Sequence, residues 1–276
     1  MTADVLLAAC CSITSLGFAA LVGGRCLERS AGRPLREAAT NAGRTRRPER
    51  QPALVVWTIG LLWYALSTAA QALGNLNGWD AGTYRWWYLS GAFYTAAFLG
   101  MGSIYLVAPR QVAHAIMACL AIGSLMVAPL VLLAPVDASR LPAPGEAPSG
   151  QAIHSAVRMA TPVFNVFGAG ALFLGALWGA WHFWHSRRGT RAVANLLIAC
   201  GALVPSFASG LTRFGLTASL TLGQLLGLWL ILGGFLLAMR RETESRGDAK
   251  TDRRSDPAAR CGPGQRVREY RADSPL

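Results

Sequence analysis

Long apolar runs separated by short polar stretches dominate the chain. Seven runs reach the roughly 20 residues that a helix needs to cross a hydrocarbon core. They lie near 5–24, 53–73, 86–107, 112–133, 163–183, 192–211 and 219–239. The runs are continuous and do not alternate with polar residues, and a membrane span must satisfy its own backbone hydrogen bonds. The pattern therefore predicts an all-α membrane protein, a bundle of seven transmembrane helices.

The polar segments divide the chain into a membrane domain and a tail. The connection 134–161 is rich in Pro, Ala and Gly, which predicts an irregular, exposed loop. After residue 241 the composition becomes charged and almost free of large apolar side chains. We therefore expect a seven-helix domain over 1–241 and a disordered, polar tail over 242–276.

Composition and charge support a membrane protein and predict its orientation. Only 14% of the residues are charged, against about 25% in ordinary soluble domains. Of the 26 basic residues, all but four fall on one side of the predicted bundle; the exceptions are Arg85, Arg140, Arg158 and Arg213. Basic loops remain in the cytoplasm. This distribution predicts that the N-terminus lies outside and the C-terminus inside the cell.

The arginine-rich stretch "GRTRRPER" lies within the basic connection 25–51. A run of this kind on a chain of net charge +12 raises the question of nucleic-acid binding. Apolar spans flank the connection on both sides, so it must stay close to the membrane surface. There it is expected to contact anionic lipid headgroups, at about 1 kcal/mol for each basic residue. We expect the lipid bilayer, and no nucleic acid, as its partner.

Several membrane functions require residues that the spans lack. A retinal-binding protein needs a lysine in its last helix, but the single lysine, Lys250, lies in the tail. Pumps and ion-coupled carriers usually bury Asp or Glu in the membrane, and none of the seven runs has one in its interior. We therefore expect no catalytic residues, no metal and no cofactor, and a protein that is not an enzyme.

Three histidines keep a redox alternative open. His114 opens the fourth run, while His182 and His185 close the fifth, so all three are predicted near the cytoplasmic face. They could meet as a haem or metal site. The alternative, which we favour, is that they join neighbouring tryptophans in the interfacial aromatic belt.

Polar residues within the spans predict a ligand site. They fall in the outer halves of their helices, with cationic residues at the outer boundary, and buried amides should face away from lipid. An outward-facing polar cavity for a small polar or anionic ligand would use Gln71, Tyr94, Asn165, Ser206, Ser209, Arg213 and Gln224. The alternative is ordinary hydrogen bonding between helices, at about 0.6 kcal/mol per contact.

These features lead to three functional hypotheses. The first is a non-enzymatic ligand-sensing or accessory protein that signals through a separate protein partner, because the tail is too short for an output domain. The second is a small transporter of a polar or anionic solute with three helices, a linking helix and three helices, as in SWEET sugar transporters. The third is a haem or redox membrane protein.

Two segments carry a resemblance to other proteins. "YRWWYLSGAFYTAAFLGMGSIYLVAPR" and "TPVFNVFGAG" resemble segments of uncharacterised seven-span membrane proteins from actinobacteria and related bacteria. The resemblance implies a multi-pass protein of the bacterial cytoplasmic membrane. It supplies no activity and no functional residues.

Overall fold

Seven long helices make up the membrane region of the protein. The computed structural model describes residues 3–31, 51–144, 146–212 and 219–255. Within these ranges the helices are α1 (Ala3–Ala31), α2 (Gln51–Asn77), α3 (Ala81–Val107), α4 (Arg110–Leu132), α5 (Ser155–His185), α6 (Gly189–Thr212) and α7 (Ser219–Ser255). Each contains a segment long and apolar enough to cross a membrane. The prediction of an all-helical, seven-span integral membrane protein is confirmed.

Two helices extend well beyond the predicted spans. α5 begins at Ser155, where the His154 ring accepts a hydrogen bond from the backbone N–H of Ala156 at 3.4 Å. α7 continues to Ser255. The backbone of 242–255, the first part of the segment expected to be a disordered tail, is therefore helical, in keeping with its content of Arg, Glu, Ala and Lys, which are good helix formers. The remaining tail, 256–276, lies outside the described residues.

Six of the seven helices form a closed ring. Neighbouring contacts run from α1 to α2, α3, α5, α6, α7 and back to α1, while α4 packs outside the ring against α3 and α5. The ring contains two triads of helices, α1–α3 and α5–α7. A two-fold axis along the membrane normal that related the two triads would produce the same order of neighbours. The linking helix α4 gives both triads the same direction through the membrane.

Glycines set the closest helix approaches in both triads. A β-carbon at Gly60 in α2 would lie 2.9 Å from the backbone nitrogen of Leu99 in α3. In the second triad, a β-carbon at Gly201 in α6 would lie 2.7 Å from the carbonyl oxygen of Gly227 in α7. Both distances are too short for a side chain, so these positions allow the backbones to touch, as small residues commonly do in membrane bundles.

α3 contains a π-helical segment, Leu89–Thr95, between two α-helical halves. The Thr95 hydroxyl donates to the carbonyl of Ser90 at 2.8 Å, and the Ser90 hydroxyl donates to the carbonyl of Trp86 at 2.6 Å. These bonds satisfy carbonyls that the widened turn exposes. The segment also turns Phe93 and Tyr94 into the bundle, where both are buried.

The loop between α4 and α5 is irregular, as expected, but parts of it are buried. The Arg85 guanidinium donates to the carbonyl of Ala134 at 2.8 and 3.0 Å. The Asp137 backbone N–H donates to the carbonyl of Ala152 at 2.8 Å, and Ile153 is only 2% exposed. The loop is therefore folded over the ends of the helices, which differs from the exposed connection that its Pro- and Gly-rich composition predicted.

Candidate functional site: a cavity at the basic end

The two ends of the bundle differ in charge. We call the end at which α1, α3 and α5 finish and α2, α4 and α6 begin the basic end. Its arginines include Arg25, Arg110, Arg187, Arg188, Arg191 and Arg240. The opposite end carries the α4–α5 loop and a mixture of acidic and basic side chains.

A cavity of about 560 Å³ occupies the basic end of the ring. All six ring helices contribute to its wall, whereas α4 does not. Its cationic side chains are Arg25 from α1 and Arg188 and Arg191 from the α5–α6 region, and no described lining residue is acidic. The cavity is therefore a positively charged vestibule on the axis of the ring.

The lining changes from charged to apolar with depth. Arg191, Asn195 and Ile198 follow one another along α6 and all line the cavity. Because a helix rises 1.5 Å per residue, Ile198 lies about 10 Å below Arg191. On α7, Met239 lies near the mouth and Phe235 one turn deeper. The mouth is thus cationic and the floor is hydrophobic.

Aromatic rings form the floor. The centroids of Trp57 and Phe235 lie 6.3 Å apart, and Phe18 lies beneath them, 5.3 Å from Phe235 and 6.5 Å from Trp57. The Trp57 indole N–H is buried and has no hydrogen-bond partner among the described residues. The inner end of the cavity is therefore largely apolar.

Small residues on α5 leave room for the cavity. Gly175 and Gly179 lie four residues apart on α5, where they form a ridge of small residues, and both line the cavity. A β-carbon at Gly179 would lie 2.7 Å from the side-chain oxygen of Asn195. The Asn195 amide is fixed in turn by donating to the carbonyl of Arg191 at 2.9 Å. The ridge therefore brings α5 and α6 together while adding little side-chain volume to the cavity.

The cationic groups are only weakly neutralised by the described residues. Arg25 lies 3.9 Å from Glu28, whose side chain is 74% exposed, so the pair is a weak surface contact. The Arg191 guanidinium lies 5.8 Å from the centre of the Phe183 ring. That contact orients Arg191 without cancelling its charge. The mouth can therefore attract an anion.

The predicted outward-facing residues that the structure describes do not line this cavity. Gln71 is fully buried and donates to the Thr221 hydroxyl at 3.0 Å. Gln224, on the same stretch of α7, accepts through its backbone carbonyl from the Tyr64 hydroxyl at 2.9 Å. These bonds join α2 to α7. Tyr94 instead donates to the carbonyl of Ser124 in α4 at 2.7 Å.

The remaining predicted residues are also dispersed. Asn165 is half-buried on α5, while Ser206 and Ser209 are exposed on α6. The Ser206 hydroxyl donates to the carbonyl of Ala202 at 3.2 Å, within its own helix. Arg213 lies outside the described residues. None of the described members of the predicted set lines the cavity of 560 Å³.

Buried polar atoms without partners mark the α1–α2–α7 junction away from the cavity. On these three helices, away from the cavity, the free atoms among the described residues are the side-chain oxygens of Ser15, Gln71 and Gln224 and the amide nitrogen of Asn75; the Ser124 hydroxyl on α4 is also unpartnered. Unsatisfied groups of this kind are costly in a low-dielectric interior. The junction is therefore closed by polar contacts that are incompletely satisfied.

The three histidines make separate contacts. The Tyr105 hydroxyl lies 3.0 Å from the ring nitrogen of His114, and His185 contacts the carbonyl of Trp181 at 3.0 Å. His182 lines the cavity. Across the described ranges, no group of three or more His, Cys, Asp or Glu side chains is placed to hold a metal ion.

Comparison with known proteins identifies no homologue of the chain. No protein-family model, no characterised protein and no solved structure matches the chain significantly. The function must therefore be argued from the cavity and the ring of helices that encloses it.

Proposed function

We propose that the protein is a small membrane carrier that takes up an anionic solute in the cavity at its basic end. The observation that carries the proposal is the arrangement of the helices. Two triads of helices surround a cavity that is open toward one end, and the linking helix α4 lies outside the ring. Transporters built from parallel repeats place their substrate site at the interface between the repeats.

The closed half of the ring supports alternating access. Away from the cavity, Gln71 and Thr221 are fully buried, and Tyr64 bonds across to the carbonyl of Gln224. A carrier that is open on one side needs such a closure on the other. Contacts made by polar side chains that retain unpaired atoms are easier to exchange for water than a fully apolar seal is.

The cationic mouth determines the charge of the proposed solute. Arg25 from α1 and Arg188 and Arg191 from the α5–α6 region line one vestibule. A cation would have to enter against three positive charges, whereas an anion gains charge-assisted hydrogen bonds. The proposed role is binding and translocation, without a chemical step.

A second candidate is a ligand sensor or accessory protein that acts through a separate protein partner. One observation favours it: α7, which contributes Phe235, Ala238 and Met239 to the cavity, continues as a helix to Ser255. Ligand binding that moved α7 would reposition that extension. In this alternative, the same cavity binds the solute, but no solute crosses the membrane.

We place the protein in the bacterial cytoplasmic membrane with its N-terminus outside and its basic end in the cytoplasm. The support is the concentration of arginine at that end, since basic loops are retained on the cytoplasmic side. Single cysteines in place of Arg240 and Ser139, introduced into a variant whose native cysteines are replaced by alanine, would be labelled in whole cells with a membrane-impermeant maleimide. Labelling of the cysteine at 139 alone is expected, and labelling at 240 alone would reverse the orientation.

The carrier proposal is tested by counterflow in proteoliposomes. Vesicles containing the purified full-length protein would be loaded with an unlabelled mixture of small organic anions, and entry of the same anions in radiolabelled form would be followed. Transient accumulation is expected for a carrier. Saturable binding in detergent without accumulation in vesicles would refute transport and favour the sensor.

A further inference from the structure

We propose that the basic-end cavity is specific for a short amphipathic anion, namely a carboxylate that bears an aromatic or branched apolar group. The carboxylate binds Arg188 and Arg191 at the mouth, and the apolar group contacts Trp57 and Phe235 at the floor. The inference rests on the proposed function in taking this cavity as the solute site.

The size of the cavity excludes a simple inorganic anion as the best-fitting ligand. Its 560 Å³ falls within the range of about 300–1,000 Å³ found for small-molecule sites. An anion the size of chloride or phosphate fills only a small part of such a space. An inorganic anion at the arginines would leave the floor occupied by water against aromatic rings, which is unfavourable.

The separation of charge and apolar surface argues for an amphipathic ligand. On α6 the cavity lining extends from Arg191 to Ile198, a rise of about 10 Å along the helix, and on α7 Phe235 lies one turn below Met239. Asn195 and the buried Ser103 also line the cavity. An amphipathic ligand of this length can bind the arginines with its charged group and contact the aromatic rings with its apolar group. A uniformly polar solute can bind only the arginines.

The same distance limits the length of the ligand. An anionic lipid also combines a charged group with an apolar tail, and the membrane is a ready source of such molecules. A depth of about 10 Å accommodates a phenyl ring on a short linker but not a long acyl chain, and the aromatic triad with Phe18 closes the floor. We therefore assign the site to a short, water-soluble anion.

The test is a binding series on the purified full-length protein in detergent, followed by calorimetry and by thermal shift. The probes are 4-phenylbutyrate, its neutral amide, butyrate, inorganic phosphate and palmitate. We expect 4-phenylbutyrate to bind at least tenfold more tightly than butyrate, phosphate or the amide. Palmitate should show no advantage over 4-phenylbutyrate.

Matched variants assign the binding to the cavity. Arg188→Gln should weaken 4-phenylbutyrate binding at least tenfold, whereas Arg187→Gln should leave it unchanged, because Arg187 is adjacent in sequence but does not line the cavity. Ala238→Phe, which adds a ring inside the cavity, should reduce binding. Leu236→Phe, on an exposed face of the same helix, should not.

Each outcome bears on one part of the proposal. If phosphate or butyrate binds more tightly than 4-phenylbutyrate, and this binding depends on Arg188, the cavity is a general anion site and the proposed amphipathic ligand class is wrong. Equal binding of the amide would overturn the role of charge, and tighter binding of palmitate would assign the cavity to lipid. Binding of 4-phenylbutyrate with the expected variant pattern, but without counterflow, would support the ligand class and refute the carrier.

Discussion

The two ends of the bundle are built from the same helices, yet one is filled and the other is hollow. Toward the opposite end the interior contains buried side chains such as Gln71, Tyr84 and Phe93. At the basic end the same ring encloses 560 Å³. The difference shows that a small residue can have either of two effects. It allows close helix packing where it faces another backbone, and it leaves space where it faces a gap between helices. Gly168 meets the backbone of α3, whereas Gly175 and Gly179 border the cavity.

Charge follows the same division. The hollow end has arginines that converge without an acidic partner among the described lining residues, while the filled end ties Arg85 to the carbonyl of Ala134. A group of like charges is tolerated where water and a ligand can reach it. The cavity therefore gives water and a ligand access to the arginines, which reduces the repulsion between their charges.

The largest effect is expected where helices touch in the filled part of the ring. Gly168→Ala places a methyl group against the backbone of Ala96 and Ala97, so α3 and α5 must separate. Overpacking of this kind costs about 1–3 kcal/mol. The loss is measured as a lower free energy of unfolding in mixed micelles. Gly170→Ala, which meets nothing within 4 Å, is the control and should be neutral or stabilising; equal effects of the two substitutions would contradict the packing argument.

A smaller effect is expected from the cap of α3 at the opposite end. The Asp80 carboxylate accepts from the backbone N–H groups of Gly82 and Thr83 at 2.7 and 3.0 Å and from the Thr83 hydroxyl. Asp80→Ala should cost about 1 kcal/mol in the free energy of unfolding, because two backbone donors lose their acceptor. Asp80→Asn should retain most of the stability.

The same cap has a pH dependence of known sign. Hydrogen bonds from Thr83 hold the pKa of Asp80 below its ordinary value of 3.8. The contribution of the ionised cap is therefore fully present above that value and is lost as the pH falls through the lowered pKa. Thermal unfolding of Asp80→Asn should lose this part of the acid sensitivity of the parent protein. An unchanged acid profile would show that the cap does not contribute.

The smallest effect on stability is expected in the hollow end. Ala238→Phe adds a ring to the cavity wall, where there is space for it, so the free energy of unfolding should change by no more than about 0.5 kcal/mol. The same measurement as for Gly168→Ala applies. A loss as large as that of Gly168→Ala would show that the basic end is as tightly packed as the filled end, and would remove the contrast between the two.

Much of the architecture was predictable because it depends on position along the chain. The seven apolar runs predicted the number of helices but not the start of α5 or the end of α7, and glycine and proline composition predicted the irregular α4–α5 loop. The burial of Ile153 in that loop was not predictable, because it depends on which helix ends lie beneath. The depths of Gln71 and Tyr94 in their helices were predictable as well. Their partners were not, since hydropathy does not show that α2 faces α7 and that α3 faces α4.

The candidate site left separate signals in the sequence. The four-residue spacing of Gly175 and Gly179 is typical of helix packing, His182 is predicted in the interfacial belt, and Arg188 and Arg191 belong to the basic residues that predict the orientation. Each interpretation is reasonable for a single helix. Their meeting point becomes visible only when α5, α6 and α7 are assembled, because the cavity exists between helices.

The sequence by itself determined that the chain forms seven membrane-spanning helices and which loops carry the positive charge, because hydrophobic length and composition are local properties. The tertiary structure decided that α4 lies outside a ring of six helices and that a hollow opens at the basic end. It also decided which partners the polar residues of the other half bond, such as Thr221 for Gln71 and the carbonyl of Ser124 for Tyr94. These properties depend on which helix faces meet, and that is set by close packing across the whole bundle.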